Sequence, residues 1–248
     1  MEFDPNVLED LHGENYGLML LKLHELTGHK AYLEIGSLTG ASLLMSKAPS
    51  IAIDPNFRIE HEVIGSKPLC LFYQMGSDEF FERYDAPSLL GRPVEFSFLD
   101  GLHHCEFLLR DFFNTEAVSS RSGVIAMHDC VPLDIPMTDR VQEGTPPSSP
   151  HRLGWWTGDV WRAALVIKRH RPDLRFTAMD CQPTGLIVIT GLDPTSTLLK
   201  DNYDALVAEM NAMNLEEITI RGLHEELGIV SAQALVNAGL AASLGLAG

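Results

Sequence analysis

Apolar residues come in short runs along this chain, and each run stops on glycine, a hydroxyl or a charge. Tyr32-Leu33-Glu34-Ile35 breaks at Gly36, and Ile51-Ala52-Ile53 ends on Asp54. Leu69-Cys70-Leu71-Phe72-Tyr73 leads into Gly76-Ser77-Asp78; the run 94–99 ends in Asp100-Gly101-Leu102-His103-His104, and 124–127 in His128-Asp129-Cys130. Runs of this length bounded by turn residues read as buried strands. Between them, 41–47, 79–84 and 105–113 have helical spacing, the last with Phe107, Leu108, Phe112 and Phe113. Upstream, Leu18, Met19, Leu20, Leu21, Leu23 and Leu26 predict a largely buried helix over 16–26, closed at Gly28. Such alternation predicts an α/β, doubly wound, mostly parallel sheet with helices on both faces. Two final runs, 175–179 and 185–190, are joined by a link too short for a crossover, so they form a terminal antiparallel hairpin. The sheet then has seven strands, followed by C-terminal helices.

Sheets of this kind bind ligands beyond the carboxyl ends of their strands. Glu34, Asp54, Ser77, Asp100 and Asp129 all fall at that edge. Residues 31–54 form a strand–turn–helix–strand unit in which Gly36, Ser37 and Gly40 let backbone approach a ligand. Asp54 is placed to accept hydrogen bonds from a ribose diol. The spacing is E-x-G-x-x-x-G, and an acid at Glu34 would repel a pyrophosphate. A cationic or hydroxyl-rich ligand suits it better than a dinucleotide.

These residues resemble motif I and the post-strand-2 acid of class I S-adenosylmethionine-dependent methyltransferases, over roughly residues 30–190. The resemblance implies a Rossmann-like methyltransferase fold and S-adenosyl-L-methionine as cofactor. Its contacts would be Glu34, Gly36, Ser37, Gly40, Asp54, Gly76, Ser77, Asp78 and Asp100. D-G-x-H at 100–103 followed by H-D at 128–129 is similar to the group of small-molecule and sugar O-methyltransferases. That implies a divalent metal, Mg or Mn, on Asp100, His128 and Asp129, with His103 as general base beside Asp100. His128 stands where metal-dependent relatives carry an acid, and Cys130 where some carry an amide ligand. The structural alternatives are capping of helix starts by Ser77 and by His103-His104, and a purely structural His128-Asp129 pair. For function the alternatives are another enzyme on the same fold, hydroxylase-like, or a non-catalytic binder of S-adenosylmethionine or a nucleotide.

Composition narrows this further. A chain of 248 residues at 45% hydrophobic suits one domain with extensions. The segments expected are an N-terminal helical segment 1–29, a catalytic domain 30–192 and a C-terminal helical extension 193–248. A net charge of −16 argues against nucleic acid and anionic membrane surfaces as partners. The partner expected is a small-molecule acceptor. Four scattered cysteines make no zinc pattern. With no leader pattern at 1–5 and no apolar run of spanning length, a cytoplasmic protein with reduced thiols is expected. Residues 131–156 carry five prolines and read as a lid or insert over the site. Trp161 is expected to pack in the core, with Trp155 and Trp156 open between packing and acceptor contact. Glu106, Asp111 and Asp159 read as solvated or capping, and His12, His24 and His29 as surface residues. The tail from 229, poor in charge, should pack on its own domain or on a second subunit, making a homo-oligomer.

Overall fold

The seven strands are β1 (Tyr32–Ile35), β2 (Ser50–Ile53), β3 (Cys70–Tyr73), β4 (Val94–Leu99), β5 (Ser119–His128), β6 (Arg175–Met179) and β7 (Leu186–Thr190). They form one sheet in the order β3-β2-β1-β4-β5-β7-β6. The first five pair in parallel, and β7 runs antiparallel to both β5 and β6. This is the architecture expected from the apolar runs. The computed structural model describes residues 4–246; residues 1–3 and 247–248, the outer ends of the two terminal segments, lie outside the described residues.

Both faces of the sheet are covered, which is why β1 and β2 are buried at every position. On one face Leu33, Ile35, Ile51, Ile53, Ile125 and Met127 join a large core. It is completed by α2 (Ser77–Arg83), α3 (Ala86–Leu90), α4 (Cys105–Val118) and α5 (Trp161–His170). The helices α6 (Leu198–Asp201), α7 (Tyr203–Ala212), α8 (Leu215–Ile218) and α9 (Ile220–Leu227) pack on that side, with Leu206 and Met210 turned inward. On the other face Tyr32, Ala52, Phe96, Phe98 and Val188 meet α1 (Tyr16–Thr27) and the tail helices α10 (Ala232–Asn237) and α11 (Leu240–Ser243). Trp161 is fully buried, as its helical position suggests.

The tail packs on its own domain. Val230 N–H donates to Ala178 O at 2.9 Å, Ala232 N–H to Asp180 Oδ1 at 2.7 Å, and the Thr190 hydroxyl to Leu244 O at 2.7 Å.

Three expectations change. The helix over 41–47 is a single 3-10 turn, Leu43–Met45. Ser46 turns extended after it, and its hydroxyl bonds His29 Nε2 and accepts from Ala48 N–H, which competes with helix continuation; Pro49 then bars any further turn. In α1 the buried face is Met19, Leu20, Leu23 and His24, while Leu18, Leu21 and Leu26 are exposed. His24 and His29 are core residues. Their rings pack 5.0 Å apart against Tyr32 and Phe96, which lie on the sheet face that α1 covers. His12 is exposed, as expected.

Candidate active site

Strand register assembles the site. Ile35 pairs with Ile53 and with Leu99, and Leu99 pairs with Met127. Gly36, Asp54, Asp100 and His128 therefore stand one residue past the same line at the carboxyl edge. They open on a cavity of about 640 Å³, a size that suits a small-molecule site. Gly36 has φ +88°, and a Cβ there would lie 1.9 Å from the Asp100 carbonyl oxygen. Only glycine lets β1 and β4 close up at this point.

Asp54 is buried in the cavity wall. Its Oδ2 accepts from Leu38 N–H at 2.8 Å and its Oδ1 from Asn56 N–H at 2.7 Å, which pins the turn after β1 to the end of β2. Each carboxylate oxygen keeps a lone pair for a diol. Ser37 lines the cavity with its hydroxyl unpartnered; Gly40 closes the turn behind the wall, its N–H donating to Ser37 O at 2.6 Å. Glu34 alternates to the opposite face of β1. It is fully buried, accepts from the Tyr32 and Ser42 hydroxyls, and is not part of the cavity lining. Burial pushes its carboxyl up to about 7 despite those bonds. Gly76, Ser77 and Asp78 line the cavity at the start of α2, with no side-chain cap bond there. The Asp78 carboxylate is held on the rim by the Arg110 guanidinium fork at 2.9–3.0 Å.

At the other end, Asp100, His103, His128 and Asp129 form one cluster. His103 Nδ1 lies 2.9 Å from the Trp156 carbonyl, which can only accept, so Nδ1 carries the proton. Nε2 is left facing Asp129 Oδ2 at 3.3 Å and Asp100 Oδ1 at 3.6 Å. His128 Nδ1 faces the same oxygens at 3.2 and 3.4 Å, with its ring stacked 3.8 Å from that of Tyr16. Asp129 adopts φ +57°, unusual for a side chain with a Cβ, and its Oδ1 accepts from the Thr184 hydroxyl. Burial would lower both imidazoles, but the facing carboxylates outweigh it: His103 is raised, and His128 reaches about 10. Burial likewise would raise Asp100, yet the His128 charge and the two facing imidazoles hold it well below the usual carboxylate range.

His103 is seated by the end of the 131–156 loop. Its ring stacks on Trp156 at 4.7 Å, and its carbonyl accepts from Asp159 N–H at 3.2 Å. Gly158, at φ +54°, passes so close that a Cβ would sit 1.9 Å from the His103 oxygen. Asp159 caps α4 through Cys105 N–H at 2.8 Å, one of the two roles expected of it. His104 stands at the N-cap position without a side-chain cap bond, its Nε2 3.0 Å from Arg140 O. Glu106 is paired with Arg140. The loop itself is anchored: buried Arg152 bridges Asp10 at 2.8 Å and Asp134 at 3.1 Å. Gln142 and Trp156 are the loop residues that reach the cavity. Cys130 is buried with its Sγ 3.2 Å from His128 O, away from the lining.

Tyr16, Asp111 and Thr184 enter the site without any signal at their positions in the sequence. Tyr16 arrives on α1, Asp111 on the flank of α4, and Thr184 in the β6–β7 link.

The strand order, the reversed β7 and a cavity across the carboxyl edge define a Rossmann-like methyltransferase fold. No family model matches the chain, and no curated protein matches it. Among solved structures it is similar to an O-methyltransferase from Bacillus cereus in complex with S-adenosylhomocysteine, at 16% identity over 70% of this chain and 79% of that one, TM-score 0.48. It is similar also to an O-methyltransferase from Streptomyces achromogenes involved in tomaymycin synthesis, in complex with S-adenosylmethionine (17% identity, 71% and 78% covered, TM-score 0.49). A third is an S-adenosylhomocysteine-bound methyltransferase from Podospora anserina (12% identity, 72% and 78% covered, TM-score 0.48).

Proposed function

We propose that the chain is an S-adenosylmethionine-dependent methyltransferase acting on a hydroxyl of a small molecule. The observation that carries this is the single cavity joining the Asp54 wall to the cluster of Asp100, His103 and Asp129. The residues fit the cofactor. Gly36 puts bare backbone in the cavity wall, Asp54 has acceptor capacity for a diol, and the acidic cluster suits a sulfonium. The bound cofactor supplies an activated methyl group and a good leaving group. What remains for the protein is alignment and removal of the acceptor's proton.

His103 Nε2 is the group placed to take that proton. The Trp156 carbonyl sets its tautomer, and Asp100 and Asp129 stabilise the imidazolium that forms. The stacked Trp156 ring and the anchored loop hold this face of the cavity and limit its exposure to water.

A second reading rests on the same side chains. The ligand atoms of Asp100, His103 and Asp129 lie within 4.8 Å of one another. An Nδ1–H tied to a carbonyl is the usual partner of an Nε2 metal ligand. Two carboxylates and an imidazole suit Mn²⁺ better than Mg²⁺, and a cation held there would acidify the acceptor hydroxyl directly. In this set His103, not His128, completes the three.

Thermal melting tests both. S-adenosylhomocysteine should raise the melting temperature of the full chain by several degrees at saturating ligand, and NAD should leave it unchanged. Stabilisation by NAD alone would sink the methyltransferase reading. A rise with Mn²⁺ that disappears in Asp129→Asn supports the cation; methyl transfer that survives EDTA at full rate leaves His103 as the base. No helix among the described residues is long and apolar enough to cross a membrane.

A further inference from the structure

The cavity has two chemically different ends. One is the carboxylate and imidazole cluster. The other lies between the end of β4 and the start of α2, is walled by Met75, Leu102 and Phe107, and carries the carboxyl of Asp111. The point where a Cβ of Gly101 would stand is 3.5 Å from Asp111 Oδ2, which places this carboxyl directly beside the end of β4.

Asp111 is only 3% exposed, yet its Oδ1 has no hydrogen-bond partner. Other deeply buried acids are satisfied. Glu34 has Tyr32 and Ser42, Glu116 has Arg171, Asp134 has Arg152, and Asp159 has Arg140 and the Cys105 N–H. Asp111 has only the Ser77 hydroxyl beside it, and its Oδ1 is left over, because the neighbouring Arg110 spends its guanidinium on Asp78 and Tyr203. Among the described residues no other buried carboxyl oxygen is left unpartnered. Burial pushes this carboxyl up to about 7, although the Ser77 hydroxyl beside it works the other way. An orphaned buried acid costs stability, so its place in a cavity wall calls for a partner that arrives with the ligand.

We propose that Asp111 recognises the base of the cofactor, accepting a hydrogen bond from the exocyclic amino group of adenine. The inference rests on the S-adenosylmethionine reading above. Apolar and aromatic walls suit a flat purine, whereas the ammonium and sulfonium suit the acidic end. Asp54, the diol acceptor, stands in the same cavity wall, one strand in from the end of β3.

The test is calorimetric titration of the full chain with S-adenosylhomocysteine and with S-inosylhomocysteine, in which a carbonyl oxygen replaces the amino group. The wild type should prefer the adenine compound by about tenfold or more, the worth of one hydrogen bond to a charged group. Asp111→Ala should weaken the adenine compound by about tenfold and leave the inosine compound unchanged. Asp111→Asn, whose amide can donate to the carbonyl, should bring the two within about threefold of each other. Melting of ligand-free Asp111→Ala should be unchanged or higher, because the orphan is gone. The inference is overturned if both variants bind S-adenosylhomocysteine as the wild type does. It is overturned equally if Asp111→Ala weakens both compounds alike while lowering the ligand-free melting temperature, which is the mark of a structural residue. A wild type that binds neither compound overturns the cofactor reading itself, and this inference with it.

Discussion

Gly36→Ala is the sharpest test of how the site is built. The glycine has φ +88°, where an L-residue costs about 1–2 kcal/mol. A Cβ would also stand 1.9 Å from the Asp100 oxygen, when contacts under 3.0 Å are essentially not seen. The ends of β1 and β4 would have to part by roughly 1 Å, at an overpacking cost of about 1–3 kcal/mol. That parting threatens the bond from Asp100 N–H to Ile35 O, 2.9 Å long and worth about 1 kcal/mol. The total, about 4 kcal/mol, is a large share of an ordinary domain's stability and corresponds to a fall of the order of 10 °C in melting temperature. Gly28→Ala is the control: φ is +52° there, but nothing lies within 4 Å of the added carbon. It should lose only the backbone contribution, about 4 °C. Calorimetric melting of the two variants beside the wild type gives the comparison. If Gly36→Ala melts within about 2 °C of Gly28→Ala, the close approach of β1 to β4 carries no energy and the reasoning fails.

Two further outcomes follow from the same geometry. With any acceptor that turns over, His103→Ala should lose about 10²- to 10⁴-fold in kcat, and His104→Ala should stay within about threefold; equal losses would remove the distinction drawn between the two histidines. His24 and His29 are held neutral by burial, lowered to about 2 and about 4, while their unfolded values stay near 6.5. The unfolded chain therefore binds more protons as pH falls below 6.5, and stability drops by about 1.4 kcal/mol per pH unit for each group down to their folded values. Glu34 and Asp111, raised to about 7, act in the opposite sense over the same range. Urea unfolding at pH 7.5, 6.5 and 5.5 is therefore read as the difference between His24→Leu and the wild type, which should shift in favour of the variant by about 1.4 kcal/mol per pH unit below 6.5; a difference that does not change with pH would show that His24 does not carry it.

Much of this protein was legible along the chain, because strands with both faces covered must be apolar throughout and must end where the chain meets water. The seven runs, the reversed hairpin and the acids at the strand ends all follow from that rule. Where it failed, local chemistry or distant packing intervened. Ser46 and Pro49 cut the segment over 41–47 to one turn, through a hydroxyl that bonds backbone and a proline that cannot continue. His24 and His29 looked solvated because their burial depends on Tyr32 and Phe96, the latter more than sixty residues away.

Which residues reach the carboxyl edge is readable along the chain, since a parallel sheet delivers every post-strand residue there. Which of them line the cavity is set by the packing of the folded chain. Glu34 and Asp54 look equivalent as acids near a glycine turn, but strand alternation sends Glu34 into the opposite core and leaves Asp54 on the wall. Asp111 looked like one more polar residue on a helix. It lines the cavity because α4 packs it against the end of β4, while Asp78 takes the arginine beside it. Side-chain direction and competition for partners are properties of the packed chain, and no pattern along the sequence encodes them.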